Sequence, residues 1–154
     1  CKVYADPTST RRLRSVIDPE KLEEVNVGEE VEIEGIKIRT EKCNHPPAAT
    51  PVTFLITTED GIKIYHTADS LPFPEMEQIG QEYKPDLVFC TVGIAPGCSP
   101  DTGVEIAKLI KPKVAVPYHT ASKRDLERFC EILSRELPEV KCLLVEKGKA
   151  YKYP

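Results

Sequence analysis

Hydrophobic and polar residues alternate along much of the first half of the chain, as they do in half-buried β-strands. Residues 31–40 alternate apolar and charged side chains on either side of Glu34-Gly35, which predicts a β-hairpin with one buried face. Residues 52–57 and 62–66 are joined by Glu59-Asp60-Gly61, a turn sequence that predicts a second hairpin. Upstream of the hairpins we predict three short elements: a strand at 2–5, a helix at 8–16 and a charged helical turn at 19–25.

The second half of the chain alternates strands with helices. Residues 87–92 form a nearly continuous apolar run, which predicts a strand buried on both faces. Ser99 and Pro100 suit the N-cap and first position of a helix that Pro112 ends. A further helix starts after Ser122, which resembles the first residue of a capping box, and carries apolar residues at helical spacing. The remaining predictions are a helix at 75–83 and strands at 114–116, 143–145 and 150–153.

This order of elements predicts an α/β fold in which β-hairpins are followed by a β-α-β-α-β unit. Residues 1–154 are enough for one domain with a substantial core. The helices would cover one face of the sheet, and the other face would still need a cover.

The composition argues against several classes of protein. A formal net charge of −4 is not that of a general nucleic-acid binder. No apolar run approaches the roughly 20 residues that cross a bilayer, and no signal peptide is visible. We therefore expect a cytoplasmic protein with neither a nucleic-acid nor a membrane partner. The 14 prolines and the absence of tryptophan are typical of heat-adapted proteins.

The cysteines and the start of the chain add two expectations. The six cysteines include no Cys-x-x-Cys pair, so we expect them to be mostly reduced and structural rather than a disulfide framework. Cys43 and Cys98 lie near candidate site loops and are candidates for reactive thiols. The chain begins at Cys1 and its one methionine is Met76, so we expect a trimmed product or a piece of a longer chain.

Three residues with metal-binding side chains each end a predicted strand beside turn-forming residues: His45, Asp69 and His119. A single histidine is usually structural, and an aspartate after a strand is usually a turn residue. Strand ends are nevertheless where loops of such sheets converge. Two imidazoles and a carboxylate suit zinc, and also iron or manganese. We therefore predict a metal site formed in part by these three residues.

Several segments around these residues resemble the metallo-β-lactamase superfamily, in particular its small ascorbate-phosphate-lactonase-like metal-dependent hydrolases. Residues 61–69, which end in Ala68-Asp69, are similar to the family strand that ends in Gly-Asp. Residues 84–90 followed by Gly93, and residues 111–119, are similar to its next two strands. Asn44-His45-Pro46 looks like its middle histidine motif. The spacing, 24 residues from His45 to Asp69 and 50 from Asp69 to His119, also fits.

The resemblance implies a fold, a site and a reaction class. The fold would be part of an αββα sandwich. Asp69 would bridge two metals as the catalytic residue, while His45 completes one metal and His119 the other. The cofactor would be zinc, with manganese or iron as alternatives, and activated water would hydrolyse a small-molecule substrate. His66, on the opposite strand face from Tyr65, would support the site or the fold rather than bind metal.

The chain departs from the family pattern in two places. Ala68 stands where the family has glycine, so the turn before Asp69 has to tolerate a Cβ atom. The motif His-x-His-x-Asp-His is absent, since no histidine precedes His45. We therefore expect the C-terminal half to two-thirds of the fold, inactive alone and completed by a missing N-terminal half or a partner chain. The uncovered sheet face should also favour homo-oligomers.

Two alternatives stay open. The chain could be a non-catalytic metallo-β-lactamase-like domain that acts in binding or assembly. It could also hold one metal with His45, Asp69 and His119 alone, in which case a structural zinc would need a fourth ligand such as Cys43 or Cys98.

Overall fold

The computed structural model describes residues 1–153 and builds them around a seven-stranded sheet. The strands lie side by side in chain order. They are β3 (Glu30–Ile33), β4 (Ile36–Lys42), β5 (Val52–Thr57), β6 (Lys63–His66), β7 (Leu87–Thr91), β8 (Val114–Tyr118) and β9 (Lys141–Cys142). A separate parallel pair consists of β1 (Val3–Ala5) and β2 (Leu22–Glu24). The predicted hairpins are therefore confirmed, as is the mixed α/β class.

The described residues also form four helices and one short 3-10 turn. They are α1 (Pro7–Leu13), the turn Pro19–Lys21, α2 (Glu75–Tyr83), α3 (Pro100–Ile110) and α4 (Lys123–Glu136). The predicted caps hold α3 and α4 in place: Ser99 Oγ accepts the amide of Thr102, and Ser122 Oγ accepts the amide of Asp125. Each bond satisfies a backbone donor that the first helical turn would otherwise leave free.

The sheet changes from antiparallel to parallel pairing at β6. The pairs β3-β4, β4-β5 and β5-β6 are antiparallel, whereas β6-β7, β7-β8 and β8-β9 are parallel. Because parallel strands end at the same edge, the residues that follow β6, β7 and β8 meet there. This edge carries the candidate site.

The core lies between one face of the sheet and α2, α3 and α4. Tyr65, Val88 and Phe129 are fully buried there. Gly80 of α2 lies so close to α3 that a Cβ atom at this position would be 2.6 Å from the carbonyl oxygen of Ile110. Glycine at position 80 therefore permits the close contact between the two helices.

The other sheet face points away from these helices and is apolar. Ile38, Ile56, Ile64 and Leu87 lie side by side in the strand register and are only partly buried. Residues 143–153 run beneath part of this face and enclose a cavity of about 470 Å³ against β6, β7 and β8. This partly open face agrees with the expectation that one side of the sheet would still need a cover.

The predicted strands at 143–145 and 150–153 are wrong. Leu143 donates one amide bond to Ala115 (2.9 Å), but within the described residues no strand follows Cys142. A turn in which the Lys149 amide donates to Glu146 (3.1 Å) reverses the chain. The apolar side chains of this segment pack on the sheet face instead of extending the sheet at its edge. The prediction failed because apolar, β-branched and aromatic residues favour any half-buried surface, whether or not a strand forms there.

Two further expectations need correction. Residues 19–25 are not one helical turn, because helical geometry ends at Lys21 and β2 follows to pair with β1. Cys130 and Cys142 are joined in a disulfide, with Cα atoms 5.5 Å apart, so the expectation of reduced thiols is wrong for this pair. The packing of α4 beside β9 brings these cysteines together, and no local sequence motif signals that contact.

Candidate metal centre

The three predicted ligand residues occupy the loops at one edge of the sheet. Asp69 lies three residues beyond the end of β6, and His119 directly follows β8. His45 lies in the loop that follows β4. The structure brings Asp69 into contact with His119 and places His45 on the wall of a cavity that Asp69 also lines.

Asp69 and His119 form a direct polar contact. His119 Nδ1 lies 2.9 Å from Asp69 Oδ1, and the two side chains are 28% and 45% exposed, so a ligand can reach them from solvent. Thr91 Oγ1, at the end of β7, lies 3.5 Å from the same nitrogen. With Nδ1 next to the carboxylate and the threonine hydroxyl, the other ring nitrogen of His119 is the one available to a metal, which neutral imidazole binds.

The turn that carries Asp69 has an unusual backbone. Ser70 donates its amide to the carbonyl of Thr67 (3.0 Å), and Ala68, the first central residue of this β-turn, has φ +47°. A positive φ at that position favours glycine. His119 also has a positive φ, +61°. Strained backbone of this kind is concentrated at functional sites, and the departure from glycine at position 68 is tolerated here.

Several bonds hold this turn. Thr67 Oγ1 donates to the carbonyl of Phe89 (2.8 Å), and the amide of Ala68 donates to His66 Nδ1 (3.2 Å). The hydroxyl of Tyr118 donates to the carbonyl of Ala68. His66 thus supports the turn through its own ring nitrogen, in agreement with the supporting role expected for it. Burial lowers the pKa of His66, against the opposing effect of Asp69, which keeps the ring neutral and able to accept the bond.

His45 has a buried nitrogen without a partner. Its Nδ1 has no hydrogen-bond partner among the described residues, and burying such an atom unpaired is costly. The side chain borders a cavity of about 310 Å³ that Asp6, Cys43 and Asp69 also line. The loop is tied to the Asp69 loop, since Asn44 donates its amide to Ser70 Oγ (2.9 Å).

The donor set fits a metal only in part. Among residues 1–153, no group of three or more His, Cys, Asp or Glu side chains is close enough to hold a metal ion. Two imidazoles and a carboxylate with one unpartnered nitrogen are nevertheless the chemistry that zinc prefers. The residues present fit a metal site that further ligands would complete.

The two cysteines near the site are poor ligand candidates. Cys98 Sγ lies 4.0 Å from the carbonyl oxygens of Asp69 and Ser70. Burial raises the pKa of the Cys43 thiol to about 11 and also raises that of Cys98. Because the thiolate is the reacting form, the raised pKa values count against a reactive thiol here. Among the described residues neither sulfur belongs to a group of three side chains close enough to hold a metal ion.

Sequence reasoning missed two residues around the site, Thr91 and Asp6. Thr91 Oγ1 lies near His119 Nδ1, and only its place at the end of β7 could have drawn attention to it. Asp6 lines the cavity and caps α1, accepting the amides of Thr8 (3.0 Å) and Ser9 (3.2 Å). The Asp6-Pro7 sequence is a helix-start signal that could have identified this cap.

The chain thus combines a sheet with helices on one face and His and Asp side chains at the ends of its strands, where the loops of α/β proteins carry functional groups. A family profile described as Beta-lactamase superfamily domain matches residues 4–119. The chain therefore belongs to the β-lactamase superfamily.

Curated relatives in this family are described as metal-dependent hydrolases. A UPF0173 metal-dependent hydrolase from Methanopyrus kandleri is 28% identical over 147 residues, which cover 86% of this chain and 64% of the relative. One from Saccharolobus solfataricus is 35% identical over 104 residues, 67% of this chain and 46% of the relative. The chain thus spans about half to two-thirds of the length of these relatives.

Solved structures share the fold over almost the whole chain. Igni18, a metallo hydrolase from Ignicoccus hospitalis, superposes with a TM-score of 0.81 at 19% identity, covering 100% of this chain and 70% of that protein. The metallo-β-lactamase fold protein YhfI from Bacillus subtilis gives a TM-score of 0.74 at 13% identity, covering 96% and 63%. These likenesses confirm the predicted fold family. In the described part of the chain, no helix is long and apolar enough to span a membrane.

Proposed function

We propose that this chain supplies half of a two-metal hydrolytic centre, with His45, Asp69 and His119 as metal ligands. The observation that carries the proposal is the 2.9 Å contact between His119 and Asp69 at the strand ends of a β-lactamase superfamily domain. The unpartnered Nδ1 of His45 beside the same cavity supports it. The description of relatives as metal-dependent hydrolases points to the same class of reaction.

Each residue has a defined task in this centre. A bound metal supplies a Lewis acid and lowers the pKa of coordinated water toward about 7. The Asp69 carboxylate, 2.9 Å from His119 Nδ1, would orient that ring and offer negative charge to cations at the strand ends. Asp69 is the catalytic residue in this proposal, and zinc is the proposed metal, with manganese or iron as alternatives.

The site needs more ligands than this chain brings together. The proposed source is a His-x-His-x-Asp-His segment, provided by an N-terminal half or by a partner chain. The same part would cover the apolar sheet face on which Ile38, Ile56 and Ile64 lie. The proposed substrate is a small molecule, and the proposed location is the cytoplasm. Neither a nucleic acid nor a membrane is a proposed partner, in keeping with the net charge of −4.

A second candidate is a non-catalytic domain that serves binding or assembly. It is favoured by the finding that no group of three metal-binding side chains is clustered in residues 1–153. In this case the contact between Asp69 and His119 would only stabilise the positions of the ends of β6 and β8.

Competition with a chromogenic chelator for Zn²⁺ separates the two candidates. We expect weak but measurable binding by the full chain, and a loss of about tenfold or more in Asp69→Asn, His119→Gln and His45→Gln. Asp60→Asn is the matched control, because Asp60 is an exposed carboxylate in the turn between β5 and β6, at the opposite edge of the sheet from the proposed ligands. Binding that is absent, or equal in all these variants, would favour the non-catalytic domain.

Activity provides the second measurement. Ester, lactone and phosphodiester substrates should be hydrolysed only when the upstream motif is joined to this chain or added with it. Asp69→Asn should abolish that activity, while the control Asp60→Asn should retain it.

A further inference from the structure

The end of β8 contacts the end of β6 through two consecutive residues. His119 Nδ1 lies 2.9 Å from the carboxylate of Asp69, and Tyr118 donates its hydroxyl to the carbonyl of Ala68. Ala68 and Asp69 are consecutive as well, so the two contacts hold one short piece of backbone from the same side. The His119 contact is made with the candidate ligand Asp69, and the Tyr118 bond is made with Ala68, whose backbone conformation sets the direction of the Asp69 side chain.

Ala68 is the residue in this turn that most needs to be held. With φ +47° it occupies the left-handed region, which a residue with a Cβ atom adopts only when its surroundings enforce it. Its amide is bound by His66 Nδ1 (3.2 Å) and its carbonyl by Tyr118. Both polar groups of the strained residue are therefore fixed, one from the same strand end and one from β8.

The Tyr118 ring is rigidly placed for this bond. Its centroid lies 4.9 Å from that of His66 and 6.0 Å from that of Phe89, with both partners edge-on. The side chain is half-buried. Such packing limits the ring to one orientation, so the hydroxyl meets the Ala68 carbonyl without a further loss of side-chain freedom.

We propose that Tyr118 is a positioning residue of the metal centre, whose hydroxyl locks the left-handed Ala68 turn and thereby aims the Asp69 carboxylate at His119. This inference rests on the proposed metal-binding role of Asp69. A glycine at position 68 adopts the same backbone conformation without strain. The need for the Tyr118 hydroxyl is therefore a consequence of alanine at that position.

The chain contains a matched control for this tyrosine. Tyr65 is also buried and its hydroxyl is bound, lying 3.1 Å from Thr53 Oγ1, but it faces the helices on the opposite side of the sheet. Tyr65→Phe and Tyr118→Phe each remove one bonded hydroxyl from the same sheet. If the role of Tyr118 were purely structural, the two variants would bind Zn²⁺ with the same affinity.

Zn²⁺ affinity of the full chain, measured by chelator competition, tests the proposal. Tyr118→Phe should weaken binding about tenfold or more, while Tyr65→Phe leaves it unchanged. Within an Ala68→Gly background the effect of Tyr118→Phe should shrink to less than about threefold, because the turn no longer needs the lock. Equal affinities of wild type and Tyr118→Phe, or an undiminished effect in the glycine background, would overturn the proposal.

Amide hydrogen exchange gives a readout without metal. The Ser70 amide, which closes the turn by its bond to Thr67, should exchange faster in Tyr118→Phe than in wild type or Tyr65→Phe. Unchanged exchange would overturn the lock itself. If the wild-type chain binds no Zn²⁺ while Tyr118→Phe still speeds the exchange of the Ser70 amide, the metal role fails and the lock remains as structure alone, so the two failures are distinguishable.

Discussion

His119 Nδ1 lies 2.9 Å from Asp69 Oδ1 although 50 residues separate them in the chain. The contact exists because β6 and β8 flank β7 in a parallel arrangement and therefore end at the same edge. An imidazole oriented by a carboxylate through one nitrogen presents the other nitrogen to a ligand. Four consequences of the structure around this pair, and of the sheet that carries it, can be measured.

The strained turn predicts a stabilising substitution. Ala68 has φ +47°, and an L-residue pays roughly 1–2 kcal/mol for that conformation. Part of this stabilisation is lost, because glycine gives the unfolded chain more conformational entropy. Ala68→Gly should therefore raise the free energy of unfolding by about 0.5–1 kcal/mol in urea titrations. Ala49→Gly, at an exposed loop position, is the control and should be neutral or destabilising. A lower free energy of unfolding in Ala68→Gly would show that the backbone of Ala68 is not strained.

The cap of α1 predicts a stability loss that depends on pH. Burial alone would raise the pKa of Asp6, but hydrogen bonds from Ser9, Thr50 and Thr8 lower it below its usual 3.8. A lowered pKa means that Asp6 stabilises the fold above about pH 4 and stops doing so as the pH falls through the folded-state pKa.

Asp6→Ala should accordingly cost about 1 kcal/mol at neutral pH, as for other N-caps. The difference from wild type should shrink below about pH 4. Glu139→Ala, which removes an exposed carboxylate from the loop after α4, should show neither effect. Urea titrations from neutral to acidic pH make the comparison, and a constant difference over that range would show that the charge of Asp6 is not involved.

The disulfide between Cys130 and Cys142 predicts a thiol count and a stability change. The denatured chain should show four thiols before reduction and six afterwards, since Cys1, Cys43, Cys90 and Cys98 are free. The bond spans 12 positions, and cross-links of such loops contribute about 2–3 kcal/mol. The double variant Cys130→Ser/Cys142→Ser should lower the free energy of unfolding by that amount, whereas Cys1→Ser should leave it unchanged. Six thiols without reduction would refute the bond.

The partly open sheet face predicts self-association. Apolar residues such as Ile38 and Ile64 lie on the face away from the helices and remain partly exposed, and such surfaces drive association when nothing covers them. Sedimentation should show mass rising with concentration. Ile38→Lys should reduce this association, while Val16→Lys, at a position 78% exposed on another surface, should not. A stable monomer at high concentration would argue against an uncovered face.

Local sequence signals predicted the elements that local chemistry determines. The turn residues between β3 and β4 and between β5 and β6 fixed the hairpins, and Ser99 and Ser122 marked the starts of α3 and α4. The predicted strand ends also placed Asp69 and His119 at the same edge of the sheet. These predictions succeeded because alternation, turns and caps act over a few residues.

Contacts between distant segments could not be predicted in this way. The bond between Cys130 and Cys142 depends on how α4 packs beside β9. The segment after Cys142 has the apolar content of strands but packs on a sheet face, since an apolar surface is available there. The bond from Tyr118 to Ala68 joins residues from two strand ends, and no pattern in either segment indicates it.

Metal content, measured by elemental analysis on the protein that extends upstream of Cys1, is the decisive measurement for the two-metal centre. We expect the upstream coding sequence to contain a His-x-His-x-Asp-His motif and the protein to hold about two metal ions per chain. Asp69→Asn should remove most of this metal, and Asp60→Asn should leave it in place. A protein that carries the motif but binds no metal, or one whose metal content is unaffected by Asp69→Asn, would refute the proposed centre.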